Sequence, residues 1–223
     1  MDDHGPLLRE LVCLNQCKAI IEIGVAGADA TAYLCEGAEQ TGGTVYGYDL
    51  WDTHGLIKQY GGISNKEECE QKLTNEGYSK FLLTKIDTTT QEFKDIINER
   101  HPSIDFAFID GCHSYQGIKN DFGIIYPKLS VPGIIAFHDT LRIDGPREFI
   151  QDLRTIYNDG TYDIVDFPFG NLERRVGGSL LVKRSYPIID IPIDELCNLT
   201  DRKELIYQKE IDYHNTQIRT GMT

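Results

Sequence analysis

Five short apolar runs in this sequence each end on an acid, and two of those ends add a histidine. The first run is Ile21-Glu22-Ile23-Gly24-Val25-Ala26-Gly27-Ala28-Asp29, and the second closes at Tyr48-Asp49. The third leads to Asp87, the fourth to Asp110-Gly111-Cys112-His113, and the fifth to His138-Asp139-Thr140. Carboxylates bind hydroxyl and ammonium groups, and an imidazole with its ordinary pKa near 6.5 can take a proton at neutral pH. Gly24 and Gly27 let the backbone come close to a ligand ahead of a helix N-terminus. They serve a plain tight turn equally well, and the pattern is not G-x-G-x-x-G, because Ala26 and Asp29 occupy the second and third glycine positions. Asp49 stands roughly 20 residues beyond that turn, where an acid ordinarily holds ribose hydroxyls.

The elements that must position these residues follow from hydrophobic periodicity. Ala19–Val25, Thr44–Asp49, Lys80–Thr84, Ile104–Asp110 and Gly133–His138 have the Ile/Val/Phe-rich character of central parallel strands. Between them lie helical stretches at Asp29–Gln40, Asn65–Tyr78, Thr88–Arg100 and Tyr115–Tyr126, with an opening helix at Pro6–Gln16. Asn65, followed by Glu67 and Glu68, has the signature of an N-cap with acids in the first turn. Such an alternation implies right-handed crossovers and a doubly wound α/β sheet, in which ligands bind beyond the carboxyl ends of the strands. After Pro146 a helix near Arg147–Tyr157 leads to strands at Tyr162–Asp166 and Ser179–Lys183, an antiparallel pair closing one edge. The expected fold is therefore a mostly parallel seven-stranded α/β sheet over residues 1–184, with a C-terminal extension at 185–223.

The acid-bearing ends resemble those of class I S-adenosylmethionine-dependent methyltransferases: Glu-x-Gly at 22–24, Asp49 closing the second strand, and acids at the third and fourth. The segment from Phe106 through Asp110, His113, Tyr115 and Gly117 to Asp121, with Pro132-Gly133-Ile-Ile-Ala-Phe-His138-Asp139-Thr140, is similar to a narrower branch. That branch holds macrocin-type sugar O-methyltransferases and cephalosporin-hydroxylase-like proteins. The likeness spans roughly 18–184, with departures at Ala28, where Gly is usual, and Cys112, where an acid often stands. It implies a Rossmann-like methyltransferase fold and S-adenosylmethionine as donor. Glu22, Gly24 and Gly27 would lie near the methionine portion, Asp49 on the ribose and Asp87 near adenine, with Asp110 also in the donor site. It also implies that Asp110, His138 and Asp139 converge on one divalent ion, Mg²⁺ by the preference of carboxylates or Mn²⁺ if the imidazole binds. His113 would then be the base that deprotonates the acceptor hydroxyl. Plainer roles stand beside these: Asp87 or His113 as a helix cap, and His138 bonded to a strand carbonyl. Trp51 and the loop through Ser64 either cover the site or form a surface loop, and Asn171–Arg175 is either a substrate contact or a solvated turn.

Composition sets the outer bounds. The 223 residues carry 22 Lys+Arg against 35 Asp+Glu, a formal charge of −13. With no basic run longer than a pair such as Arg174-Arg175, this excludes a general nucleic-acid binder and disfavours anionic membranes. No apolar stretch reaches the ~20 residues of a membrane span, and the start MDDHGPLLRE lacks the order of a secretory signal. The six cysteines form no CxxC pair, so a reduced, cytoplasmic setting is expected. The acceptor expected from the resemblance is a hydroxylated small molecule, a sugar or natural product, and self-association of the chain stays open. Two further function classes compete: a nicotinamide-dependent oxidoreductase, which shares the sheet but should carry G-x-G-x-x-G, and a non-catalytic protein on the same fold.

Overall fold

Strand β1 (Ala19–Ile23) is buried at four of its five residues, as a strand covered on both faces must be. It pairs in parallel with β2 (Thr44–Asp49) on one side and β4 (Ile104–Ile109) on the other. The computed structural model describes residues 4–51, 65–168 and 176–184. The expectations for the rest of the Trp51–Ser64 loop, for Asn171–Arg175 and for the 185–223 extension lie outside these residues. With β3 (Phe81–Lys85), β5 (Leu129–His138), β6 (Tyr162–Phe167) and β7 (Gly178–Lys183), the sheet has seven strands in the order β3-β2-β1-β4-β5-β7-β6. The first five run parallel, and β7 pairs antiparallel with both β5 and β6. The expected fold class is confirmed, including its antiparallel edge.

Reversal of strand order at β1 places α1 (Gly5–Leu14), α2 (Asp29–Thr41) and α3 (Lys66–Asn75) on one face. There Val12, Leu34, Ala38 and Leu73 pack on Ile20, Val45 and Phe106. The opposite face is covered by α4 (Gln91–Arg100), α5 (Tyr115–Ile125) and α6 (Asp144–Thr155), whose Phe93, Ile97, Ile118 and Phe149 pack on Ile21, Ile23 and Phe137. Among the described residues no helix is long and apolar enough to cross a membrane. The five described cysteines are free, three of them buried.

Asn65 caps α3 as expected, accepting from Glu68 N at 2.8 Å. Helix α4 starts later than the predicted Thr88, because Thr90 is its N-cap and Asp87 is spent on a turn, accepting from Thr89 N and Oγ1 at 2.8 and 2.7 Å. The cap role considered for Asp87 therefore belongs to Thr90, and the one considered for His113 belongs to Ser114, whose Oγ accepts from Gly117 N at 3.0 Å. Strand β5 begins at Leu129 rather than Gly133.

Candidate functional site

Two close backbone approaches bring the strand ends together. A Cβ at Gly24, which has φ +91°, would lie 2.2 Å from the carbonyl oxygen of Asp110. Only glycine lets the β1 turn pass this close to the end of β4, where Asp110 N also bonds Ile23 O at 2.8 Å. Gly145, at the start of α6, meets the backbone of His113 in the same way, at 2.3 Å from its carbonyl oxygen. Gly24 thus serves the packing of β1 on β4, and Asp110 and His113 are fixed by backbone contacts before their side chains interact.

Four side chains then converge. His113 Nε2 lies 3.2 Å from Asp110 Oδ1 and 3.2 Å from Asp139 Oδ2. His138 Nδ1 lies 3.1 Å from the same Asp110 oxygen and 3.6 Å from the same Asp139 oxygen. One ligand atom from each residue falls within 4.8 Å of all the others. Asp110 and Asp139 are therefore bridged by two imidazoles. The pair of carboxylates pushes His113 up to about 10, first through the Asp110 hydrogen bond and then the Asp139 one. Burial pushes Asp110 upward, but its bonds to His113 and His138 and their charge outweigh burial and hold it below the carboxylate range.

Asp139 has φ +56°, a left-handed conformation that costs a non-glycine residue roughly 1–3 kcal/mol. The next residue is anchored through the antiparallel edge: Thr140 Oγ1 lies 3.0 Å from Ser179 Oγ, which donates to Asp166 Oδ1 at 2.6 Å. Since Ser179 has one hydroxyl proton and gives it to the carboxylate, Thr140 must be the donor to Ser179. Asp139 Oδ1 is buried and has no hydrogen-bond partner among the described residues. The two carboxylates, one of them with a spare buried oxygen, and the His138 imidazole form a donor set that fits a divalent cation, whose charge would displace the proton from His113.

Across β1 lies a second cluster. Asp49 accepts from Ala26 N at 2.8 Å and Trp51 N at 2.7 Å, drawing the two strand-end turns together. Trp51 is buried and donates Nε1 to Ala26 O at 3.2 Å, so it holds the β1 turn. Cys69 Sγ donates to the same carbonyl at 3.1 Å, and Lys72 Nζ donates to Gly27 O at 3.0 Å. Glu22 is fully buried, and neither of its carboxylate oxygens has a hydrogen-bond partner among the described residues. Burial pushes it up to about 8; nearby Asp110 and Asp49 add to the shift, and Thr31, close but outside hydrogen-bond geometry, eases it. Asp87 stands apart, turned to Thr89.

The domain family called methyltransferase domain matches residues 21–140, more than half of the chain and every strand end described above. The chain belongs to the methyltransferase-domain family. Its strand-end motifs and this match agree on a methyltransferase domain. Solved structures similar to this methyltransferase include an O-methyltransferase from Bacillus cereus in complex with S-adenosylhomocysteine (TM-score 0.61, 17% identity, 81% of this chain and 80% of that one). Another is the O-methyltransferase TomG from Streptomyces achromogenes, involved in tomaymycin synthesis and solved with S-adenosylmethionine (TM-score 0.60, 14% identity, 82% and 80%). At such identities they show a shared fold. The uncharacterized protein y4gI of Sinorhizobium fredii is 27% identical over 140 residues, which span 61% of this methyltransferase and 15% of that protein.

Cys69 and Lys72 at the β1 turn were not legible from the sequence as residues that reach it. Trp51 alone gave a signal, as the one Trp two places after Asp49. His4 was likewise unforeseen, with its ring 4.5 Å from that of His138.

Proposed function

We propose that this methyltransferase transfers the methyl group of S-adenosylmethionine to a hydroxyl of a small molecule, a sugar or a glycosylated natural product, with a divalent ion at the Asp110–His113–His138–Asp139 centre. The observation that carries the proposal is that centre: two carboxylates and two imidazoles from adjacent strand ends, with a spare buried oxygen on Asp139. Its O-methyltransferase neighbours and the likeness to the macrocin branch support the acceptor class. Glu22 would face the methionine ammonium and Asp49 the ribose hydroxyls. Asp110, His138 and Asp139 would hold the ion, Mg²⁺ or Mn²⁺. When bound, it supplies Lewis-acid activation of a coordinated hydroxyl.

The chain's own part is positioning and proton transfer. His113 holds a proton while Asp110 and Asp139 face it, and becomes available as a base once those carboxylates are engaged by another cation. It then takes the acceptor's hydroxyl proton as the oxygen attacks the sulfonium methyl; the S–CH₃ bond breaks, the O–CH₃ bond forms, and S-adenosylhomocysteine leaves. Holding oxygen and methyl in line accounts for much of the remaining acceleration.

The test is transfer of labelled methyl from S-adenosylmethionine to a panel of sugars and glycosides, with and without Mg²⁺ or Mn²⁺, in the native protein and Asp139→Ala. The expected result is metal-stimulated transfer that falls by at least about 10²-fold in the variant, with S-adenosylhomocysteine affinity retained. Full, metal-independent transfer by Asp139→Ala would overturn the metal role. Tight donor binding with no transfer to any acceptor would favour the non-catalytic alternative.

A further inference from the structure

Helix α5 carries a buried carboxylate that none of the roles above uses. Asp121 is 1% exposed. Its Oδ2 has no hydrogen-bond partner among the described residues, its Oδ1 lies 3.5 Å from Asn120 Nδ2, and the Thr88 side chain stands close by. It does not cap the helix, since Ser114 does that. Oδ2 sits beneath the β4 turn, 3.6 Å from where a Cβ on Gly111 would stand. Asn120 Nδ2 ties the adjoining turn of α5 to the end of β3 through Thr88 O at 3.0 Å. Burial pushes Asp121 up to about 6; the Thr88 and Asn120 side chains ease the shift and the charge of Asp87 adds to it.

A buried carboxylate oxygen without a donor is costly to the fold, and a ligand carrying an N–H at that place recovers the cost. S-adenosylmethionine has three sets of donor hydrogens: the ammonium, the ribose diol and the exocyclic amine of adenine. The strand ends offer acids in the same order, Glu22 at β1, Asp49 at β2, and Asp121 beneath the β3 and β4 ends. Asp87, the acid that the family likeness placed near adenine, already commits Oδ1 to Thr89 N and Oγ1. We propose that Asp121 is the adenine-selecting residue, accepting a hydrogen bond from the exocyclic amine of the donor nucleoside. This rests on the donor reading above, and Gly111 keeps the strand-end turn thin enough for the contact.

The experiment compares the affinity of the full chain for S-adenosylhomocysteine and for S-inosylhomocysteine, in which an oxo group replaces the amine. The native protein is expected to prefer the adenine compound by about tenfold or more, the worth of one buried polar mismatch. In Asp121→Asn, whose carboxamide can donate to the oxo group, that preference should fall to about one or invert. Loss of packing alone would weaken both ligands together and leave their ratio unchanged. If Asp121→Asn does not fold, Asp121→Ala replaces it, with loss of the preference expected. A native protein that binds both equally, or a variant that keeps the native ratio, overturns the proposal. A native protein that binds neither overturns the donor reading itself.

Discussion

Glu22 and His113 are both pushed upward, Glu22 by burial and His113 by two facing carboxylates, and each sets an expectation. Glu22 is raised to about 8 by burial, so the folded chain holds a proton there that the unfolded chain gives up near pH 4.3. Its contribution to stability is full below that pH and is lost as pH rises toward 8, because the folded state binds more protons in that window. Glu22→Gln keeps the shape without the titration. Its melting temperature should exceed the native one by several degrees at pH 8, at about 2–4 °C per kcal/mol for a chain of this size, and the gap should narrow at pH 5. Equal differences at the two pH values would contradict the assignment. His113, between Asp110 and Asp139, is placed to take the acceptor proton. His113→Ala should lower kcat by about 10²–10⁴-fold while S-adenosylhomocysteine binds as before; steady-state kinetics beside calorimetric binding checks both. The types and spacings of Asp110, His113, His138 and Asp139 were legible in the sequence because strand ends mark themselves by the switch from apolar run to polar turn. Asp121 was legible as part of a motif but not as a buried orphan, since burial depends on how α5 rotates against the β4 turn.

At the scale of elements, the β1 turn bends through two left-handed alanines, Ala26 at φ +47° and Ala28 at φ +59°. Asp49, Trp51 and Cys69 hold Ala26, and Lys72 holds Gly27 between them. Ala28 is the residue ahead of α2 and has no side-chain cap. Glycine there would remove a left-handed penalty of roughly 1–2 kcal/mol and return part of it as unfolded-chain entropy. Ala28→Gly should therefore stabilise the fold by about 0.5–1 kcal/mol in denaturant titration, and Ala28→Val should destabilise it. A loss of stability in the glycine variant would show that this turn is not strained. The five parallel strands, the helices alternating with them and the antiparallel edge were legible because hydrophobic period and length distinguish strands from helices. The start of α4 was not, because Asp87 and Thr90 are both good capping types and only the Thr89 contacts settle which one is used. The role of α3 was hidden for another reason: Cys69 and Lys72 reach the β1 turn across a fold-dependent distance of more than 40 residues.

For the whole molecule, the reversal of strand order at β1 is where a doubly wound sheet opens its ligand crevice. The turns of β1 and β2 present Glu22 and Asp49, and the ends of β4 and β5 present two carboxylates bridged by two imidazoles. A chain of formal charge −13 concentrates acids where a sulfonium donor and a divalent cation are proposed to meet, and both carry positive charge. The most direct measurement is calorimetric titration of the EDTA-treated protein with S-adenosylhomocysteine, followed by Mn²⁺ or Mg²⁺. The expected result is saturable nucleoside binding and a separate saturable metal isotherm that Asp139→Ala removes without touching the first. Nucleoside binding with no metal isotherm would contradict the assignment of the four-residue centre, and no nucleoside binding would contradict the account of the crevice as a donor site.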